Sequence, residues 1–503
     1  MKMIKLPGLI LIIFQYYLLV SLIVYINCED NTNCYHLNTL IKSANYENFN
    51  HDKLSPLVNK LNYKVTRVKR QLNSSTTQLP PLTINDSNEN HHNESVNSNL
   101  VNSEQLIEAD IKSLRYNLVN HFSSPRNSFA NDTLKQNARR VIIDKFVKLR
   151  LETWTHKFNA TEMRFLNLPV IEGMNIIAIL PGSSRGTDQE SLILIGAHYD
   201  TVLLSPGVND NGSGVSALLE VARLLTTNQC HLKSTVIFAA FDLEEYGGLG
   251  SRHLVHEYLI PIHLSGKRSK FRGAFILDTL LNFDDTSNSQ DIPMDIEKVI
   301  PFWGKKDSPD NMRGDFIASF TRKSIDSRLS LTMAKHWRSR QQFEQQKSSS
   351  NGQPISQFNL VPVEIATLPS EMPNVKVLSD HVNFLRSDHV MFWYHNSSLH
   401  KPTLRAIFIT DTGPFRGYMR KCYHETCDDL SLVTDTNLRF LKLIVEVLTS
   451  SILDIGDGSC KVSSKGSAKF DVRQSSSPRA YPMSLVFYLN CFIIITFIVN
   501  KSN

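Results

Sequence analysis

The 503-residue sequence has little net charge for its length, +6 at pH 7, and nowhere gathers Lys and Arg into a basic stripe interleaved with aromatics. Nucleic acid is therefore excluded as an expected partner. No internal repeat is visible beyond a doubled Ser-Asp-His, at Ser379 and Ser387, so a repeat architecture is not expected. Cysteine is sparse, 7 in all. Cys422 and Cys427 are close enough to pair in an oxidising compartment, whereas Cys34, Cys230 and Cys460 read as small buried or leftover thiols. From Asn73 to Ser103 apolar residues are nearly missing, which excludes a packed core there because too little surface could be buried to offset the ordering entropy.

Long uninterrupted apolar runs stand only at the two ends. After Lys2 and Lys5, Gly8 to Ile26 reads as a secretory signal peptide, residues 1–28, or, if uncut, as a signal anchor. Residues 29–124 form a polar N-terminal region. Within it Arg67-Val68-Lys69-Arg70 reads either as a basic processing site, making residues up to 70 a removable pro-segment, or as a solvated charge cluster. Residues 456–482 read as a linker. The run within 483–503, with small residues upstream, reads as a glycolipid (GPI) anchor signal or a short transmembrane tail. The expected location is the secretory pathway, then the cell surface, with the C-terminal tail as the membrane contact, or the extracellular space. Asn73, Asn85, Asn93, Asn131, Asn159 and Asn396 each open an Asn-X-Ser/Thr sequon and are expected to carry glycans. Asn211 also fits the pattern but lies in the candidate site, so it is expected to stay unmodified.

Between these ends, residues 125–455 are enough for one large α/β domain. Its organising stretch is Ser191 to Phe283. Leu192–Gly196, Thr235–Phe241 and Gly273–Leu277 are short runs rich in Ile, Val and Phe, as in buried strands, and Asn175–Leu180 precedes them. Val215, Leu218, Leu219 and Ala222 recur at helical spacing, with Ser213 as the expected cap. Leu134–Leu151 and Thr436–Leu453 read as helices, and Arg405–Thr410 as a late strand. Strands alternating with helices predict a three-layer αβα fold on a mixed, mostly parallel sheet, with polar residues gathered beyond the carboxyl ends of its strands. Residues 284–378 interrupt this pattern and are expected to form a lid over the cleft.

Each strand run ends in acids or a histidine: His198 and Asp200, then Glu244 and Glu245, then Asp278, with Asp210 in the glycine-rich loop before the helix. Carboxylates crowded into one cleft would repel unless a cation sat among them. Imidazole with carboxylate suits zinc, and two zinc ions roughly 3.5–4 Å apart can share a bridging carboxylate. A carboxylate beside the water so activated can act as general base.

The motifs His198-Tyr199-Asp200-Thr201-Val202, then Gly207-Val208-Asn209-Asp210-Asn211-Gly212-Ser213-Gly214, then Glu244-Glu245-Tyr246-Gly247-Gly248-Leu249-Gly250-Ser251, in this order, resemble the co-catalytic di-zinc aminopeptidase family. Its wider clan includes glutamate carboxypeptidase, glutaminyl cyclase and the transferrin-receptor ectodomain. The family's late Tyr-His-x-x-x-Asp is matched by Tyr423, His424 and Asp428. The resemblance implies two Zn2+ per chain, held by His198, Asp210, Glu245, Asp278 and His424, with Asp210 bridging. It implies Glu244 as general base and Asp200 as acceptor of the free ring N–H of His198. A Cys422–Cys427 bond would brace the loop carrying His424, and Asp388, His389 and Tyr423 would line the substrate pocket. The run around Asp278 departs from the family pattern, which leaves its pocket wall undetermined.

The resemblance implies a metal-dependent hydrolase that removes N-terminal residues from peptides. The alternatives are a carboxypeptidase, a dipeptidase or a glutaminyl cyclase of the same clan, or a surface receptor-like ectodomain without catalysis. Nothing in the sequence sets the preferred residue or the oligomeric state.

Overall fold

The computed structural model describes residues 107–461, apart from residues 131, 167, 267–268, 300–311, 352–357 and 401. The signal peptide, pro-segment and C-terminal tail read from the sequence lie outside the described residues, as do Asn73, Asn85, Asn93 and Asn131. Among the described residues, no helix is long and apolar enough to cross a membrane.

Every residue of β3 (Ser191–His198) and β4 (Thr235–Phe241) is buried. Strands without a wet face need helices on both sides, and the structure supplies them. The other strands are β1 (Glu152–Asn159), β2 (Glu172–Leu180), β5 (Lys270–Leu277), β6 (Phe316–Arg322), β7 (Asn359–Ile365) and β8 (Ala406–Thr410). They form one sheet in the order β1-β2-β4-β3-β5-β8-β6-β7. Strands β4, β3, β5 and β8 run parallel, β6 pairs parallel with β7, and the β1–β2, β2–β4 and β8–β6 pairs are antiparallel.

Five long helices, α1 (Ile111–His121), α2 (Asp132–Lys148), α3 (Gly214–Thr227), α4 (Ser327–Asn351) and α5 (Asp435–Ile455), cover one face. Leu114, Ile142, Leu218, Met333 and Leu441 pack there against Ile193, Ile195, Phe238 and Phe275. The other face, with Leu192, Leu194, Ile237 and Ile276, is covered by Leu249–Leu264 and the short helix His389–Trp393, through Leu254, Leu259, Phe392 and Trp393. The three-layer expectation holds.

Three expectations change. Within the stretch expected to form a lid, β6 and β7 instead extend the sheet beyond β8, and α4 packs on its face. The domain begins before residue 125, because Leu114, Leu118 and Phe122 are wholly buried in the core. Cys230 and Cys460 are not leftover thiols but form a disulfide that joins the end of α3 to the chain leaving α5, beside the His231–Ser459 bridge.

Candidate metal centre

Parallel register places the site. His198, the last residue of β3, pairs with Phe241 of β4, and Ala197 pairs with Leu277 of β5, so His198, the Asp242–Glu245 segment and Asp278 leave the sheet side by side. Strand β8 pairs with β5 up to Ile409, where its carbonyl accepts the Asp278 N–H. The chain beyond β8 then carries His424 back over the same edge.

The side chains converge. Asp210 lies between the two histidines, with Oδ1 3.3 Å from His198 Nε2 and Oδ2 3.2 Å from His424 Nε2. Asp278 Oδ1 is 3.6 Å from His198 Nε2, and Glu245 Oε2 is 3.2 Å from His424 Nε2. Glu244 stands further back, 4.0 Å from His198 Nε2. Two sets therefore share Asp210: His198, Asp210 and Asp278 on one side, and Asp210, Glu245 and His424 on the other, each offering ligand atoms within 4.8 Å of one another.

Local folding explains this convergence. Asp428 accepts from the Asn209 and Asp210 N–H groups, at 2.7 and 2.9 Å, so the His424 loop itself holds the Asp210 turn. Asn211 is wholly buried, donating to the Leu277 carbonyl and accepting from the Gly214 and Thr279 N–H groups, which ties the turn to β5. Asn211, not Ser213, thus makes the side-chain bond at the start of α3. The Ser213 hydroxyl donates instead to the Asn209 carbonyl. A Cys422–Cys427 disulfide closes the loop that presents His424.

Asp200 departs from its expected role. The ring Nδ1 of His198 is 3.2 Å from the main-chain carbonyl of Asp200 and 3.6 Å from its carboxylate. The Asp200 carboxylate instead accepts the Glu244 and Glu245 N–H groups, at 3.1 and 3.3 Å, and so fixes the turn that carries both acids.

The donor set fits a metal. His198 Nε2, His424 Nε2, Asp210 Oδ2 and Glu245 Oε1 are buried and, among the described residues, have no hydrogen-bond partner. Buried polar atoms seldom stay unpaired, and here all four belong to the two sets that share Asp210. Burial opposes charge on the histidines, yet Glu245 and Asp210 raise His424 to about 10, and Glu244, Asp200, Asp210 and Asp278 raise His198 well above 6.5. Burial also opposes charge on Asp210, but the two histidines hold it far below the usual carboxylate range. Burial, with Asp388, Glu245 and Asp278 nearby, pushes Glu244 well above it against the pull of His198. Such a centre is short of positive charge, which a cation would supply.

The pocket assignments are mixed. Tyr423 stacks on His424, centroids 3.9 Å apart, and lines a cavity with Asp278, Ile296, Phe320, Phe408 and Phe415. His389 does not line it: its ring stacks on Phe408 in the core, Nε2 faces the Phe384 carbonyl, and burial lowers its pKa to about 3. Asp388 is wholly buried behind the site, and burial raises it to about 7. Arg386, two residues earlier, takes the expected place, with Nη2 3.0 Å from Tyr423 Oη. The signal for it was only adjacency to Ser387-Asp388-His389. Asn159 and Asn396 are exposed.

A model of the peptidase family M28 matches residues 175–299. The segment so matched holds His198, Asp200, Asp210, Glu244, Glu245 and Asp278, while His424 reaches it from outside. Aminopeptidase YwaD of Bacillus subtilis is 42% identical over 96 residues, 19% of each chain. Probable lipoprotein aminopeptidase LpqL of Mycobacterium tuberculosis is 48% identical over 81 residues, 16% of this chain and 15% of its own. The chain thus spans less than a fifth of the length of these curated relatives. Among solved structures, the zinc aminopeptidase BSAP from Bacillus subtilis has a TM-score of 0.42 at 14% identity, over 72% of this chain and 98% of its own.

Proposed function

We propose that the protein is a di-zinc exopeptidase that hydrolyses the N-terminal peptide bond of peptides. The observation that carries this reading is Asp210 placed between His198 and His424 at 3.3 and 3.2 Å, with Asp278 and Glu245 completing a set on either side. Zinc ions held there would supply an activated water near neutral pH and polarise the scissile carbonyl.

The chain's own residues do the rest. Glu244 lies beside both ligand sets but is less closely engaged with the histidines than Glu245, which leaves its carboxylate free to take a proton from the attacking water and pass it to the leaving amine. Asp200 holds Glu244 and Glu245 in one turn through their N–H groups. Arg386 donates to Tyr423 Oη, so the phenol's own proton is left to meet the carbonyl oxygen of a bound substrate. The apolar wall of Ile296, Phe320, Phe408 and Phe415 suits an apolar N-terminal side chain. We further propose a secreted, surface-anchored and glycosylated protein, on the sequence features of its two ends and its sequons.

Two measurements on the purified chain test the reading. Metal analysis should give about two zinc per chain, where one would favour a cyclase and none a receptor. Free-amine aminoacyl fluorogenic substrates should be cleaved, their N-acetylated forms spared, and cleavage stopped by a chelator. Equal cleavage of blocked and free substrates would sink the aminopeptidase assignment.

A further inference from the structure

Arg126 is a guanidinium taken almost wholly out of water, 1% exposed, and its partners are main-chain carbonyls. Nε donates to Tyr199 at 2.7 Å. Nη1 donates to Phe122, Ser124 and Pro206 at 3.2, 3.0 and 2.8 Å. Nη2 donates to Gly207 at 2.7 Å. The Arg126 N–H also donates to Thr201 Oγ1, and Asn127 Nδ2 donates to the Thr201 carbonyl.

A buried charge held by carbonyls alone is costly, but this one lies in the field of Asp428, Asp200, Asp210 and Glu245. Its contacts are also selective. Tyr199 stands between His198 and Asp200, and Gly207 opens the turn that ends at Asp210. One planar fork therefore grips both segments that deliver the His198–Asp210 pair. Gly207 permits the approach: its φ is +60°, and a Cβ there would meet Asp210 O at 2.3 Å and Arg126 Nη2 at 3.0 Å. A lysine could not span the two segments, because it lacks the fixed fork.

We propose that Arg126 is a positioning residue of the metal centre, setting the spacing between His198 and Asp210 from a stretch of chain outside the M28 segment. The inference rests on the di-zinc reading given above.

The test compares wild type with Arg126→Lys and Arg126→Gln in the full chain. Zinc content is measured first, then the rate of zinc release to a chromogenic chelator, then the melting temperature of the zinc-free protein. Wild type should hold two zinc ions. Arg126→Lys should fold, melt without zinc within a few degrees of wild type, and release zinc about 10- to 100-fold faster, as when a group orienting a metal ligand is lost. A purely structural arginine would lower the zinc-free melting temperature and leave release unchanged, and that result overturns the inference while the di-zinc reading stands. Failure of both variants to fold assigns Arg126 to the fold and overturns it too. A wild-type chain holding no zinc removes the di-zinc reading, and the inference with it.

Discussion

Glu244 and Glu245 are neighbours in the chain with different surroundings. Glu245 is 5% exposed and meets His424 at 3.2 Å, whereas Glu244 comes no nearer than 4.0 Å to His198. Their amides are held by one carboxylate, so the two side chains are independently aimed. Glu244→Gln should therefore cut turnover by about 10²–10⁴-fold, the usual worth of a general base, with zinc content unchanged. Glu245→Gln should instead lower zinc content, and metal analysis beside activity separates the two. Loss of zinc in Glu244→Gln would contradict the division. His198, Asp210, Glu245 and Asp278 were legible because each follows an apolar run or sits in a glycine-rich turn, whereas His424 was picked out only by its likeness to the family's late Tyr-His-x-x-x-Asp. His389 was misread because Ser-Asp-His tells nothing of rotamer or depth: one ring nitrogen finds the Phe384 carbonyl and the ring face finds Phe408. Arg126 carried no local signal and Arg386 only its adjacency to Ser387-Asp388-His389, since the contacts that tie them to the site reach Tyr199, Pro206 and Gly207, 73 to 81 residues away, and Tyr423, 37 residues away.

Among elements, the short turn Thr161–Leu166 is pinned to the helix that follows the acidic pair through Glu162, 3.3 Å from His253 and 3.4 Å from Arg252. Burial opposes charge on Glu162, but His253 and Arg252 hold it down to about 2. Burial likewise opposes charge on His253, and Glu162 with Glu257 raises it above 6.5. The depressed carboxyl stabilises the fold above its unfolded pKa of about 4.3 and loses that contribution as pH falls through about 2. The raised imidazole contributes fully below about 6.5 and loses it as pH rises through its folded value. Glu162→Gln should thus depress the melting temperature most between about pH 4.5 and 6.5. Calorimetry across a pH series should show the gap from wild type closing toward pH 2; a widening gap there would refute the pairing. The Cys230–Cys460 bond acts at the same scale, with a sequence separation of 230. Chain-entropy reasoning puts its contribution near 5 kcal/mol as an upper figure. Cys230→Ala with Cys460→Ala should lower the urea midpoint with zinc content unchanged. The pairing was not legible because the two cysteines meet only once α3 and α5 pack on the same face of the sheet.

For the whole molecule, the centre of the sheet was readable and its margins were not. Strands β3, β4 and β5 are continuous apolar runs, a pattern that only a doubly covered strand needs. Strand β7 (Asn359–Ile365) contains Pro362 and is partly exposed, which argues against a central strand, yet β7 lies at the sheet edge, where proline is tolerated. Helix α1 offered a narrow stripe, Leu114 and Leu118 with Phe122 just beyond, directly after a long polar tract. That stripe is nonetheless part of the core: all three side chains are wholly buried, each contributing about 1.5–3 kcal/mol. Ala109 and Asp110 are anchored as well, their N–H groups donating to Glu446 of α5 and Glu220 of α3 at 2.9 and 2.7 Å. These contributions together approach the whole stability of an ordinary domain, about 5–15 kcal/mol. A chain starting at residue 107 keeps all of these contacts and should therefore melt cooperatively. One starting at Asp132, without α1 and Arg126, should show no cooperative transition and should fail to retain zinc. A cooperative melt from that shorter chain would place α1 outside the folding unit.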